Sequence, residues 1–322
     1  MRILLIGFDG AQGLDIFGPA EVFSAANRSA GRAAYQVLLC SVAGGRARTT
    51  CGISLHTERL SNISPRRTDT VLVVGGEDRP VRAALASTAL VRWLQAAAPI
   101  VRRIGSVCSG AFILAQAGVL DGLRATTHWS VCRQLSAFRP AVNVDADAIF
   151  VQQGKVWTSA GVTTGIDMSL ALVEQDLGRQ VADATAARLV VYARRPGFQA
   201  QFSETLISQT NADDALSRAL DALRKTPARR LSVGQLARAA GMSLRTLHRR
   251  CLEQLGTTPA KLIERLSVEH ARLLLANGAL SANVVAARSG FDNPVRMARA
   301  FQRTLGLSPR GYRALFAGRE TT

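Results

Sequence analysis

The chain has 322 residues, more than one ordinary domain of about 100–200, so two domains are expected. Hydrophobic residues make up 48% and charged residues 20%, a globular balance that excludes a disordered polymer. The charge is lopsided: 40 Lys and Arg against 23 Asp and Glu leave +17, and all but Lys155, Lys225 and Lys261 of the cations are arginine. Guanidinium forks suit phosphates and guanine edges, but an arginine habit of the source genome would look the same, so charge alone assigns no partner.

The opening run MRILLIGFDG reads as a strand without a secretory signal core, and no stretch approaches the 18 or more apolar residues of a membrane span. Five cysteines (Cys40, Cys51, Cys108, Cys132 and Cys251) are scattered and form no CxxC, which suggests neither a disulfide framework nor a zinc site. A reduced, cytoplasmic protein with no membrane partner, no metal and no cofactor is the expectation. Apart from Cys108, the cysteines read as small buried hydrophobes.

Residues 1–195 alternate short apolar runs with helical patterns. Ile3–Phe8, Tyr35–Val42, Val71–Val74 and Val101–Val107 read as strands, with helices at about 14–27, 80–97 and 109–117 between them. Unbroken apolar strands alternating with helices imply an α/β domain with a doubly wound, mostly parallel, flavodoxin-like sheet. Ligands in such sheets lie beyond the carboxyl ends of the strands. Three strand ends carry suitable groups: Asp15 after the first, Gly75 and Gly76 after the third, and Cys108 with Ser109 after the fourth. A cysteine between a strand and a helix has the elbow arrangement, in which the helix N-terminus is expected to draw the thiol toward thiolate. Unhindered amides at Gly75 and Gly76 suit an anion. Asp15 reads either as a partner of this site or as a capping acceptor for its helix, and His128 either as a ligand contact or as a hydrogen-bonded structural imidazole.

Polar residues around Gly197–Arg230 separate this part from a basic remainder. Residues 229–322 hold 16 Lys/Arg and 5 Asp/Glu, a net of +11, against +6 for residues 1–228. The expected organisation is a domain at 1–195, a linker at 196–228 and an all-α domain at 229–322. Ser232 and Gln235 form an S-x-x-Q capping box, and that helix stops at Gly241. Ser243 caps the next helix, completing a helix-turn-helix. Leu244, Leu247, Cys251, Leu252 and Leu255 suit a buried stripe, whereas Arg245, His248 and Arg249 share another face. Pro259 starts a long helix. The pattern then repeats: Ser281 opens one helix and Asn293-Pro294 the next, along which Arg296, Arg299 and Arg303 form a basic stripe.

Three blocks carry a resemblance in the first part. GSVCSGAFILAQAGVLDGLRATTHW (Gly105–Trp129), LDIFGPAEVF (Leu14–Phe23) and TSAGVTTGID (Thr158–Asp167) resemble the PfpI-type, class I glutamine amidotransferase-like superfamily. That resemblance implies that Cys108 is a nucleophile or redox-sensitive residue, that Asp15 contacts it, and that Gly75 and Gly76 line the pocket. Ser109 stands where protease-like members carry a histidine, which argues against peptidase activity. The basic part resembles the AraC/XylS-type DNA-binding domain, through GMSLRTLHR (Gly241–Arg249), LGTTP (Leu255–Pro259), EHARLLL (Glu269–Leu275) and SGFDNPVRMARAF (Ser289–Phe301) with GLSPRGYR (Gly306–Arg313). Cys251 departs from the aromatic residue usual there.

Together the two halves resemble GlxA-type transcriptional regulators. The resemblance implies a regulator, expected to be an activator, that binds double-stranded promoter DNA through Ser243, Arg245, His248, Arg249, Asn293, Arg296, Arg299 and Arg303. It also implies a small, nitrogenous metabolite as effector at Asp15, Gly75, Gly76, Cys108, Ser109 and His128, a homodimer, and RNA polymerase as a partner. No catalytic residue is assigned beyond Cys108 with Asp15 as candidates. Two other readings stay open: a Cys108-dependent hydratase or amidase fused to a DNA-binding module, and a regulator that senses redox state through Cys108.

Overall fold

The computed structural model describes residues 1–191, 194, 195, 197, 201, 216, 232–255, 257–276, 280–305 and 307–314. The chain divides into two compact units, Met1–Gln201 and Phe202–Thr322. Most of the expected linker at 196–228 lies outside the described residues.

In the first unit the strands are β1 (Arg2–Ile6), β2 (Gln36–Ser41), β3 (Gly45–Arg48), β4 (Ser54–Arg59), β5 (Thr70–Val73), β6 (Arg103–Val107), β9 (Phe150–Gln153) and β10 (Val156–Ser159). They form one sheet in the order β3-β4-β2-β1-β5-β6-β10-β9, and β7 (Arg124–Ala125) pairs with β8 (Asn143–Val144) separately. The six central strands are parallel, and β3 and β9 run antiparallel at the two edges.

The strands β1, β5 and β6 are buried on both faces, because alternate side chains enter different cores. Leu4, Ile6, Val71, Val73 and Ile104 join Leu90, Leu94, Ile113 and Leu114 on one face. Ile3, Leu5, Leu72 and Val74 join Phe23, Met168, Leu170 and Val173 on the other. The helices divide accordingly. On the first face lie α2 (Asp78–Leu85), α3 (Thr88–Ala97), α4 (Gly110–Gln116) and α5 (Cys132–Phe138); on the second lie α1 (Gly13–Ser29), α6 (Thr164–Leu177) and α7 (Arg179–Arg188). This is the doubly wound, mostly parallel sheet that the alternation implies.

One expected helix is divided. The span 80–97 is α2 followed by α3, because Ser87 accepts a hydrogen bond from the Leu90 amide and caps a new helix. Cys40, Cys132 and Cys251 are buried as expected, but Cys51 is exposed on the hairpin loop joining β3 to β4.

The second unit is helical: α8 (Val233–Ala239), α9 (Leu244–Leu255), α10 (Pro259–Ala276), α11 (Ala282–Arg288), α12 (Pro294–Leu305) and α13 (Pro309–Ala314). The capping box forms, with the Gln235 amide donating to Ser232 Oγ at 3.2 Å and the Ser232 amide to Gln235 Oε1 at 2.8 Å. Leu236, Ala237, Ala240, Leu247, Cys251 and Leu262 pack together around the first helix-turn-helix. Leu244 does not belong to that stripe. It is 57% exposed, because it opens α9 ahead of the turn that meets the core. In the second helix-turn-helix, Met297, Phe301 and Leu305 of α12 are buried, and Phe301 meets Tyr312 with ring centroids 6.0 Å apart. Arg272 of α10 closes this core by donating to Tyr312 Oη at 3.1 Å. Among the described residues no helix is long and apolar enough to cross a membrane.

Candidate functional site

The strand β6 runs out at Val107, and Cys108 turns the chain into α4 with a φ of 56°. A left-handed conformation at a non-glycine residue is costly and persists where surrounding bonds enforce it. Here the Cys108 amide donates to Ser159 O at 3.0 Å, and Thr127 Oγ1 donates to Cys108 O at 2.9 Å. Two glycines make the space. A Cβ on Gly75 would stand 2.7 Å from Cys108 Cβ, and one on Gly161 would stand 2.2 Å from it. The sharp turn therefore depends on two strand ends that follow β5 and β10.

Asp15, in the first turn of α1, is fully buried against this elbow. It does not cap its helix. Its Oδ1 accepts from the Val162 amide at 2.7 Å, and its Oδ2 accepts from the Gly75 amide at 3.2 Å. The Cys108 thiol faces the same carboxyl, and each group shifts the other's acidity. Burial raises the carboxyl to about 6, against the lowering effect of those amides and the thiol. The thiol moves the opposite way from the elbow expectation. Burial first, and then the Asp15 charge, push Cys108 up to about 12. Desolvation and a facing carboxylate here outweigh the helix N-terminus, and Cys108 is a protonated thiol at neutral pH.

The remaining expected site residues converge in part. The Gly75 amide is spent on Asp15, and the Gly76 amide donates to Ser109 Oγ at 3.0 Å, so neither is free for an anion. Ser109 returns the contact by donating to Gly76 O at 2.9 Å. Gly76 and Ser109 form one wall of a cavity of about 280 Å³ whose other walls include Val81, Arg82, Phe112 and Phe138. His128 follows the Thr127 that holds the elbow, but its Nδ1 pairs with Ser130 Oγ at 2.8 Å. Burial holds the imidazole below its ordinary value, hence neutral at pH 7. Gly161, Val162 and Thr127 belong to the site without having been singled out, although they lie inside the TSAGVTTGID and ATTHW segments. Among the described residues no cluster of His, Cys, Asp and Glu could hold a metal.

In the second unit Ser243 and Asn293 act as N-caps. Ser243 Oγ accepts from the Thr246 amide at 3.1 Å, and Asn293 Oδ1 accepts from the Arg296 amide at 2.9 Å. Arg245, His248 and Arg249 are exposed on α9, and Arg296, Arg299 and Arg303 on α12. The cations differ in their ties. Arg296 pairs with Asp292, and Arg303 NH2 contacts Glu264 Oε2 of α10 at 2.7 Å. Among the described residues, no ion pair is formed by Arg245, Arg249 or Arg299. A cleft of about 390 Å³ between α10 and α12 is lined by Glu264, Ser267, Asp292, Arg296, Arg299 and Arg303.

Residues 1–175 match the DJ-1/PfpI family, and residues 236–315 match a helix-turn-helix domain. Over 293 residues the chain is 31% identical to the HTH-type transcriptional regulator GlxA of Rhizobium meliloti, covering 90% of this chain and 88% of that protein. It is also 34% identical over 132 residues to the isonitrile hydratase of Pseudomonas putida, covering 41% of this chain and 56% of the hydratase. Among solved structures, a ThiJ/PfpI family protein from Pseudomonas syringae matches with a TM-score of 0.55 at 22% identity, over 75% of this chain and 90% of that one. That last likeness is one of fold.

Proposed function

The chain belongs to the family of HTH-type transcriptional regulators that join a DJ-1/PfpI domain to an AraC-type helix-turn-helix domain, and from that premise we propose that it activates transcription in response to a small metabolite bound at the Asp15–Cys108 elbow. The observation that carries the sensor reading is the state of Cys108. It occupies a nucleophile's position, yet its thiol is half-buried and held at about 12 by desolvation and Asp15. A thiol in that state is a poor nucleophile, but it is one half of a carboxyl–thiol pair that a ligand can rearrange. Asp15, Gly75, Gly76, Cys108, Ser109 and His128 make up the effector site in this reading, and nitrogenous metabolites are its first candidates. The protein acts in the cytoplasm as a homodimer, places α9 and α12 in successive major-groove segments, and engages RNA polymerase.

Two measurements on the full chain test this. Binding to promoter DNA should weaken by roughly 10³–10⁵ between 50 and 200 mM salt if many phosphates are contacted. A screen of nitrogenous metabolites should yield a compound that raises the melting temperature of the wild type and switches a reporter, and Cys108→Ser, which keeps a hydroxyl beside Asp15 but no nucleophilic thiol, should still switch. A protein indifferent to DNA at low salt overturns the reading.

The similarity to isonitrile hydratase favours a second reading, a residual Cys108-dependent hydratase. It requires that the purified chain consume an isonitrile and that Cys108→Ala abolish the consumption.

A further inference from the structure

Two residues near the end of the N-terminal unit, Arg195 and Gln201, are fastened around the elbow from two sides. On one side the Arg195 amide donates to Asp167 Oδ1 at 3.0 Å, while its guanidinium donates to Asp167 Oδ2 at 2.6 Å and to Thr163 Oγ1 at 2.9 Å. Thr163 adjoins Val162, whose amide holds Asp15. On the other side Gln201 Nε2 donates to Thr127 O at 2.9 Å, and to Thr126 Oγ1 and Ala148 O at 3.1 Å each. Thr127 in turn donates its hydroxyl to Cys108 O. The Gln201 carboxamide works here through its NH2 alone, since its buried Oε1 has no hydrogen-bond partner.

We propose that Arg195 and Gln201 are positioning residues that couple the Asp15–Cys108 elbow to the segment through which the chain leaves the sensor domain toward the DNA-binding helices. The biological use of the coupling rests on the effector reading above; the coupling itself does not. The argument is geometric. A change at Asp15 reaches the Val162 amide, and a change at Cys108 reaches the carbonyl that Thr127 holds. Val162 and Cys108 both sit at left-handed φ, 52° and 56°, where little backbone adjustment is open to them. A displacement at the elbow is therefore passed on to Thr163 and Thr127 instead of being absorbed, and both residues end on the latches. The structure shows each latch bonded, and release would be the second discrete arrangement that transmission between sites requires.

Coupling must run in both directions, so the test does too. In hydrogen exchange on the full chain, Asp15→Asn and Thr127→Val should each speed exchange of the peptide covering 194–201 by about threefold or more, with β1 and β5 unchanged. In the reverse direction, Gln201→Leu removes both Nε2 donors and should raise the rate of Cys108 alkylation by iodoacetamide several-fold in the folded protein. A merely structural role would raise that rate only as far as global stability falls, which urea denaturation of the same variant reads. Should Gln201→Leu fail to fold, Arg195→Met gives the same readout through the other latch. Unchanged exchange at 194–201 in both elbow variants, or an unchanged Cys108 rate in both latch variants, overturns the proposal. Neither readout uses a metabolite. A chain that couples but binds none sinks only the effector reading, and one that responds to a metabolite without coupling sinks only this proposal.

Discussion

Asp15 and Cys108 face each other at the elbow, where burial raises the carboxyl to about 6 and the thiol to about 12. Each group makes its partner's charged form matter: the thiol lowers Asp15, and the Asp15 charge raises Cys108. Because the folded-state carboxyl lies above its ordinary 3.8, the folded chain binds this proton more tightly than the unfolded chain does. The stability so gained is complete below about pH 3.8 and is lost as pH rises through about 6.

Asp15→Asn takes up no proton in that window. The stability of the wild type relative to this variant should therefore fall by up to roughly 3 kcal/mol between pH 4 and pH 7. Urea denaturation followed by tryptophan fluorescence reads the relevant unit alone, because Trp93, Trp129 and Trp157 all lie in it. A difference that does not change with pH would mean that Asp15 does not titrate there.

The thiols make a second prediction. Cys51 is exposed, and a hydrogen bond from Thr49 lowers its thiol, whereas Cys108 is raised. Iodoacetamide at pH 7 should label Cys51 first and Cys108 slower by at least about tenfold, as peptide mass spectrometry would resolve. Cys108 labelling first would restore the reactive-elbow and redox-sensing readings.

Glycine at 161 gives a third. Gly161 has a φ of +88° and would place a Cβ 2.2 Å from Cys108 Cβ, so Gly161→Ala carries both strain and overlap. Gly122 has a φ of +71° with nothing within 4 Å, so Gly122→Ala carries strain alone. The first should cost about 3 kcal/mol or more and the second about 1 kcal/mol in the same denaturation assay. Equal losses would show that the elbow does not need the space.

The features legible in the sequence were those with short-range causes. Apolar runs marked β1, β2, β5 and β6, and Ser232, Gln235, Ser243, Asn293 and Pro294 marked the helix starts of the second unit, because a cap and its amide lie within one turn. The edge strand β3 and its neighbour β4 were not legible, since Arg46, Arg48, Glu58 and Arg59 face solvent and leave no apolar pattern. The elbow was legible as a motif, but its chemistry was not. The Val162 amide that holds Asp15 is 147 residues away, and the acidity of Cys108 is set by burial, which neighbours in sequence do not encode.

The arginines proposed to face DNA give the last prediction. Arg245 of α9 and Arg299 of α12 are exposed, and neither has a carboxylate partner among the described residues. Arg303 is held by Glu264, and Arg296 by Asp292. A guanidinium that must first leave a carboxylate returns part of its gain on binding a phosphate, although at an exposed pair that return is small. Arg245→Ala and Arg299→Ala should each weaken binding to the operator by about 1–3 kcal/mol, and Arg303→Ala by less. Glu264→Gln works in the opposite direction. It releases Arg303 and removes a negative charge from the cleft facing α12, so affinity should rise a few-fold and the salt slope steepen by about one phosphate contact. Fluorescence anisotropy of the full chain across a salt series, on a duplex selected from a random-sequence pool, separates these outcomes. Weaker binding by Glu264→Gln would mean that the Glu264–Arg303 pair orients α12 for the groove instead of restraining its charge.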